Sequence, residues 1–239
     1  MRSAFLAVLA LGELSAHAEG REFALAAQGS ASTMLIDRGE QLSDQTFEAE
    51  FLLEWAGAND AFYAGAYRLS PVGSHHEAFA EEVDYFMGYA WEAETYSADV
   101  SAAWLTYPGE SPDDKSLELA GEIVLNQPLT PALAGFYDAE FEDWGLELTA
   151  GPTWEIGEWE AFVRGRAGFV TPGDGSDTRS YWGAETGAAR PLNELAEFGV
   201  YARAEWADQD SFADEYSGGD ISHFKQSGIA IGAWIGLAL

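Results

Sequence analysis

The chain has no cysteine, which excludes disulfides, thiolate zinc sites and cysteine nucleophiles. It has two lysines, Lys115 and Lys225, and 11 basic residues in all against 41 acidic ones, for a formal charge of -30. Nucleic acid would be repelled by that balance. No run of about 18 apolar residues is present, so no segment reads as a membrane-spanning helix. Histidine is scarce: beyond His17 there are only His75, His76 and His223. Neither a Gly-x-Ser-x-Gly elbow nor a glycine-rich phosphate loop occurs. His75-His76 beside Glu77 could bind a metal, but adjacent histidines on a loop are usually just solvated, and Gly173-Asp174-Gly175-Ser176-Asp177 lacks the full calcium-ligand pattern. No catalytic residues, cofactor or metal are therefore expected. An outer-membrane hydrolase is the weakest reading for want of a triad.

What the chain does have is alternation. In 145–156, Leu146, Leu148, Ala150, Pro152, Trp154 and Ile156 take every second place against Gly145, Glu147, Thr149, Gly151, Thr153 and Glu155. After Gly157-Glu158 the pattern restarts, with Trp159, Ala161, Val163 and Ala167 opposite Glu160, Phe162, Arg164 and Arg166. Side chains of a strand alternate faces with a period of two, so this is a long hairpin with one apolar and one charged face. Each arm is close to the roughly 9–11 tilted residues that cross a bilayer. Charges lining a soluble sandwich core would be costly, whereas they suit a water-filled lumen with the apolar face toward lipid. The 26 glycines and the 9 Trp, 10 Tyr and 14 Phe fit many strands with interfacial rings.

Twelve strands can be placed, at 23–37, 47–55, 61–70, 83–92, 95–107, 117–125, 131–139, 145–156, 159–170, 179–189, 195–207 and 225–239. Connections after even-numbered strands are short. Most of those after odd-numbered strands are longer and rich in Asp, Gly, Ser and Pro. An even count, with short turns at one rim and long loops at the other, predicts an all-β, up-and-down antiparallel transmembrane barrel. A signal peptide is expected at 1–18, with Arg2 ahead of an apolar stretch and Ala16-His17-Ala18 as the cleavage site. The barrel domain would then occupy 19–239, in the bacterial outer membrane. The last strand alternates Ile229, Ile231, Ala233, Ile235, Leu237 and Leu239 to its end. It resembles the C-terminal signal read by the outer-membrane assembly machinery, with Leu239 where an aromatic is usual.

Aromatics at strand ends (Trp55, Trp91, Tyr107, Trp144, Trp154, Trp159, Tyr181, Trp182 and Trp206) are expected to form interfacial girdles. The candidate pore-lining residues are Glu48, Glu50, Glu54, Asp84, Glu92, Asp99, Glu118, Glu122, Glu147, Glu155, Glu197 and Glu205, with Arg164, Arg166 and Arg203 opposing them. Rings of acids favour cations by Coulomb attraction. The arginines either form a local positive stripe or tie the acids into lumenal salt bridges. These residues predict a porin-like channel for passive diffusion of small hydrophilic solutes, preferring cations, with lipid as its other partner. The alternative is a non-conducting barrel with a binding or structural role, plugged by bulky residues such as Phe86, Leu105, Phe162, Val170 and Tyr201. A secreted β-sandwich is a third reading.

Several segments resemble the TorF family of porins in the same order along the chain. They are Asp37-Arg38-Gly39-Glu40-Gln41-Leu42-Ser43-Asp44, Phe62-Tyr63-Ala64-Gly65, Glu82-Val83-Asp84-Tyr85 with Gly88-Tyr89, and Asp99-Val100. Tyr107-Pro108-Gly109, Leu117-Glu118-Leu119, Leu129-Thr130-Pro131 and Tyr137-Asp138 continue the series. Met34-Leu35-Ile36 stands where that family has an aromatic run before Arg-Gly, so the resemblance is to a divergent member. It implies an outer-membrane barrel and pore, and no catalytic residues.

Overall fold

The computed structural model describes residues 22–72, 81–108, 115–217 and 220–238. The expected signal segment, His75, His76 and Leu239 lie outside them. The described residues are all strand and turn, with no helix among them. The strands are β1 (Glu22–Ser32), β2 (Leu35–Asp37), β3 (Glu40–Ser43), β4 (Thr46–Ala56), β5 (Asp60–Pro71), β6 (Glu82–Glu92), β7 (Tyr96–Thr106), β8 (Lys115–Leu125) and β9 (Ala132–Asp138). They continue as β10 (Trp144–Ala150), β11 (Thr153–Ile156), β12 (Trp159–Thr171), β13 (Arg179–Asn193), β14 (Ala196–Ala207), β15 (Phe212–Ser217), β16 (Asp220–Lys225) and β17 (Ser227–Ala238).

One sheet takes 13 of these strands, each antiparallel to its neighbours. β1 pairs with β17, closing the chain's two ends on each other. β10 and β11 both pair with β12 in one continuous register, Ala150 opposite Gly165 and Thr153 opposite Phe162. They are one stave, interrupted where Pro152 brings no N–H to the ladder. Its carbonyl still accepts from the Val163 N–H at 3.2 Å. The result is a closed, up-and-down barrel of twelve staves. Closure leaves no unpaired edge, which is the condition a sheet must meet to stand in lipid.

The alternation sorts the two faces of the wall. Outside are Phe51, Leu53, Met87, Leu119, Ile123, Leu148, Trp182, Ile229 and Ile231, all exposed. Trp182 and Trp206, paired across β13 and β14, stack there with ring centroids 4.8 Å apart. Two of the rings expected in the girdles are elsewhere. Tyr181 is 3% exposed inside the barrel, and Tyr107 packs against a buried cluster that contains Tyr63 and Phe86. Each sits one position out of phase with the outward set. Phase, not ring type, decides the face.

The first strand departs most from the sequence reading. It was expected to run to Asp37, but the barrel stave ends at Ser32. At Thr33 the chain takes a last bond from its N–H to the Ile231 carbonyl (2.9 Å). It then turns off the wall, and β2 and β3 form a hairpin of their own. The turn between them is Arg38-Gly39, both at positive φ (47° and 78°), the geometry of a two-residue hairpin turn. This hairpin lies inside the lumen. Leu35 is 1% exposed, and Ile36, Gln41, Leu42 and Ser43 are also buried. Strand alternation gives it two apolar faces. Leu35 and Leu42 pack with Leu52, Tyr63, Tyr67, Leu69 and Phe86 on the β4–β6 side. Ile36 packs with Val170, Tyr181, Ala207, Phe212 and Ala230 on the opposite side. The long connection before the last stave also differs from a plain loop, since β15 and β16 form a second hairpin there.

Candidate functional site

The lumen is the only extended polar interior among the described residues, and its chemistry differs from one wall to the other. On β4–β7 the acids meet tyrosine. Tyr67 donates to Glu48 at 2.7 Å and Tyr63 to Asp99 at 2.8 Å. Glu50, 6% exposed, lies beside Glu48, and neither of its carboxylate oxygens has a hydrogen-bond partner. On β8–β14 the acids meet arginine. Arg166 reaches Glu147 at 2.8 Å and Glu205 at 3.1 Å. Arg203 donates through Nε to the same Glu205 oxygen at 2.6 Å. Tyr181 adds a hydroxyl to Glu147 at 2.9 Å. Breaking a buried pair of this kind exposes an uncompensated charge at a cost of about 3–5 kcal/mol, so these contacts hold the second wall rigid.

The inward hairpin is tied at its tip to the β8–β14 wall. Arg38 forms an ion pair with Glu118 on β8 at 3.0 Å, both side chains being almost fully buried. Its guanidinium lies 3.3 Å over the Phe136 ring. The Gly39 N–H donates to Glu205 at 3.0 Å, and Arg179 donates through Nε to the Arg38 carbonyl at 3.1 Å. From above, Ser211 donates to the Gly39 carbonyl (2.6 Å) and takes the Gln41 N–H on its own carbonyl (3.1 Å). Ala213 donates to the Gln41 side chain at 3.1 Å. Any other residue at position 39 would be strained, because a Cβ there would stand about 2.5 Å from the Tyr181 Cβ as well as at unfavourable φ. Hairpin, strand wall and outer connection form one bonded block.

Of the fifteen residues expected to line a pore, thirteen face inward: Glu48, Glu50, Glu54, Asp84, Asp99, Glu118, Glu122, Glu147, Arg164, Arg166, Glu197, Arg203 and Glu205. Glu92 and Glu155 do not line the barrel's interior. Each is exposed at the short-turn rim, at or next to the end of its strand. The choice left open for the arginines resolves residue by residue. Arg166 and Arg203 are tied into salt bridges, while Arg164 forms none with the described residues and lies 5.7 Å from the Phe162 ring centroid. The bulky Phe86, Leu105, Phe162, Val170 and Tyr201 all face the interior. Sequence reasoning missed Glu82, Asp138 and Glu185, which alternation from Asp84, Glu118 and Arg203 through the register would have placed inside. It also missed Arg38 and Asp37, for which no local pattern signals an inward turn.

A cavity of about 70 Å³ remains on the arginine side, bordered by Asp37, Arg38, Glu122, Arg164, Glu185 and Arg203 among others. Among the described residues no group of three or more His, Asp or Glu is placed to hold a metal.

No family model and no curated protein matches the chain. Solved structures do. The COG4313 outer membrane channel from Pseudomonas putida F1 aligns over 95% of this chain and 98% of its own, at 9% identity and a TM-score of 0.52. LpxR from Salmonella typhimurium aligns over 90% of this chain and 99% of its own, at 9% identity and a TM-score of 0.51. At that identity the likeness is one of fold. The chain has the closed antiparallel β-barrel fold of outer-membrane proteins.

Proposed function

We propose that the protein is an outer-membrane channel of narrow bore, passing small hydrophilic solutes by diffusion, with the inward hairpin as its constriction. The observation that carries this reading is the space of about 70 Å³, bordered by charged side chains, left between hairpin and wall inside a closed, lipid-facing barrel. Its preference is for cations, because the β4–β7 wall presents Glu48, Glu50 and Asp99 with tyrosine hydroxyls rather than arginines as the bonded partners of Glu48 and Asp99. The order of short motifs shared with TorF porins is in keeping with such a channel.

A second reading has its own support. The hairpin is bonded to the β8–β14 wall and to the outer connection and packs by Leu35 and Leu42 on the β4–β6 side, as a permanent plug would. The barrel would then conduct nothing and act through its outer surface. Single-channel recording of refolded protein in a planar bilayer under a salt gradient separates the two. Small discrete openings with a cation-signed reversal potential support the channel. A flat trace from folded, heat-modifiable protein removes it and leaves the plugged barrel.

A further inference from the structure

At the seam between the two walls, where β7 meets β8, two acids face each other. Asp99 and Glu122 are direct cross-strand partners on the inner face, a register that sets Cβ atoms about 4.5–5.5 Å apart and disfavours like charges. Asp99 takes the Tyr63 hydroxyl on Oδ1 at 2.8 Å, and its Oδ2 is buried without a donor. Tyr63 reaches it by lying over Gly88, which leaves no room for a Cβ there. One oxygen of Asp99 is thus fixed and the other is left to be satisfied. Glu122 is 8% exposed and borders the cavity of about 70 Å³. It takes part in no hydrogen bond or ion pair among the described residues.

Arginines border the same cavity, but they are committed to other acids. Arg38 pairs with Glu118 and Asp37, Arg166 with Glu147 and Glu205, and Arg203 with Glu205. Arg164 stands directly across from Glu185. Its field reaches Glu122, yet it closes no ion pair with it. With these pairings set aside, the acids around the cavity that have no cation beside them are Asp99 and Glu122, and they adjoin.

We infer that this pair binds one partly hydrated divalent cation of the Mg²⁺ type, held between Asp99 Oδ2 and the Glu122 carboxylate, with water completing its shell. Each carboxylate carries one charge, so the pair is matched by a dication and not by a single alkali ion. Leaving both charges buried and uncompensated would be costly. Mg²⁺ takes oxygen ligands, keeps several waters and binds through one or two carboxylates, which suits a site where no third acid joins the pair. The cavity amounts to about five to seven water positions at roughly 10–15 Å³ each, which accommodates those waters on the Glu122 side. This rests on the reading of the lumen as a cation pathway, and names the class of cation that pauses there.

The test is isothermal titration of the full refolded barrel in detergent with MgCl₂, in about 0.15 M KCl so that diffuse surface charge is screened. Saturable binding of one Mg²⁺ per barrel is expected. Glu122→Gln and Asp99→Asn are each expected to weaken it tenfold or more, and Glu92→Gln, at an exposed rim acid, to leave it within twofold. Absence of saturable binding, the result if the pair shares a proton instead, overturns the proposal. Unchanged affinity in Glu122→Gln does so too, as does an equal loss in all three variants, which would mean attraction by net charge alone. Should neither site variant refold, Mn²⁺ soaked into the wild-type barrel must give its anomalous scattering peak between β7 and β8, and a peak elsewhere overturns the site. Binding needs no current. Mg²⁺ binding by a barrel with no conductance would sustain the site and remove the channel, and conductance without Mg²⁺ binding would do the reverse.

Discussion

The two walls of the lumen solve the same problem in different ways. Both carry buried acids on alternating positions of adjacent strands. On β8–β14 the acids share arginines, and Glu205 alone receives Arg166, Arg203 and the Gly39 N–H. On β4–β7 they receive neutral hydroxyls, from Tyr63 and Tyr67. A salt-bridged wall is rigid and close to neutral, so it can serve as the bed on which the hairpin is pinned. In the proposed channel, the tyrosine-lined wall is the one that would set the sign of ion preference. The hairpin separates these tasks, with Leu35 and Leu42 resting on one wall and Ile36 with the Arg38 turn on the other.

Removing that divider should have the largest effect. Replacing residues 35–43 by a short Gly/Ser link is expected to raise single-channel conductance several-fold, since the hairpin fills part of the lumen of the proposed channel. An unchanged conductance would show that the path lies elsewhere. Next in size is the contrast between walls. Arg166→Met strips Glu147 and Glu205 of a buried partner and should destabilise the barrel by about 3–5 kcal/mol. Tyr63→Phe leaves Asp99 short of one hydroxyl and should cost about 1–2 kcal/mol. Urea unfolding from lipid, read by the heat-modifiable band, compares the two, and equal costs would erase the distinction.

Gly39→Ala sharpens the role of the turn. Backbone strain and the approach to Tyr181 should cost about 1–3 kcal/mol and loosen the tip, seen as added current noise or larger openings. Glu50→Gln is the smallest change. It should leave the fold intact and shift the reversal potential toward zero, whereas Glu147→Gln, on the arginine wall, should move it less. The reverse ranking would mean that selectivity resides with the arginines.

Much of this architecture is legible in the chain because a barrel wall is a local, repetitive object. Each stave's period of two, and the sorting of short turns from long loops, can be read without knowing which strands meet. Errors of face arose only where ring type was weighed above phase, at Tyr107 and Tyr181. Errors of extent arose where alternation continued past the wall. Leu35 follows Ala31 and Thr33 in perfect step, yet it is buried in the lumen rather than facing lipid.

The sequence by itself determined the barrel, its inward and outward faces and its excess of acid, because those follow from the identity of every second residue. Only the tertiary structure decided which acids meet arginine and which meet tyrosine. Pairings such as Arg166 with Glu205 and Arg38 with Glu118 join residues 39 and 80 positions apart, and closure of the sheet sets them side by side. The same closure makes the enclosed space in which a short turn of Arg38 and Gly39 can fold inward, bury Leu35, Ile36 and Leu42, and find an acid on the wall.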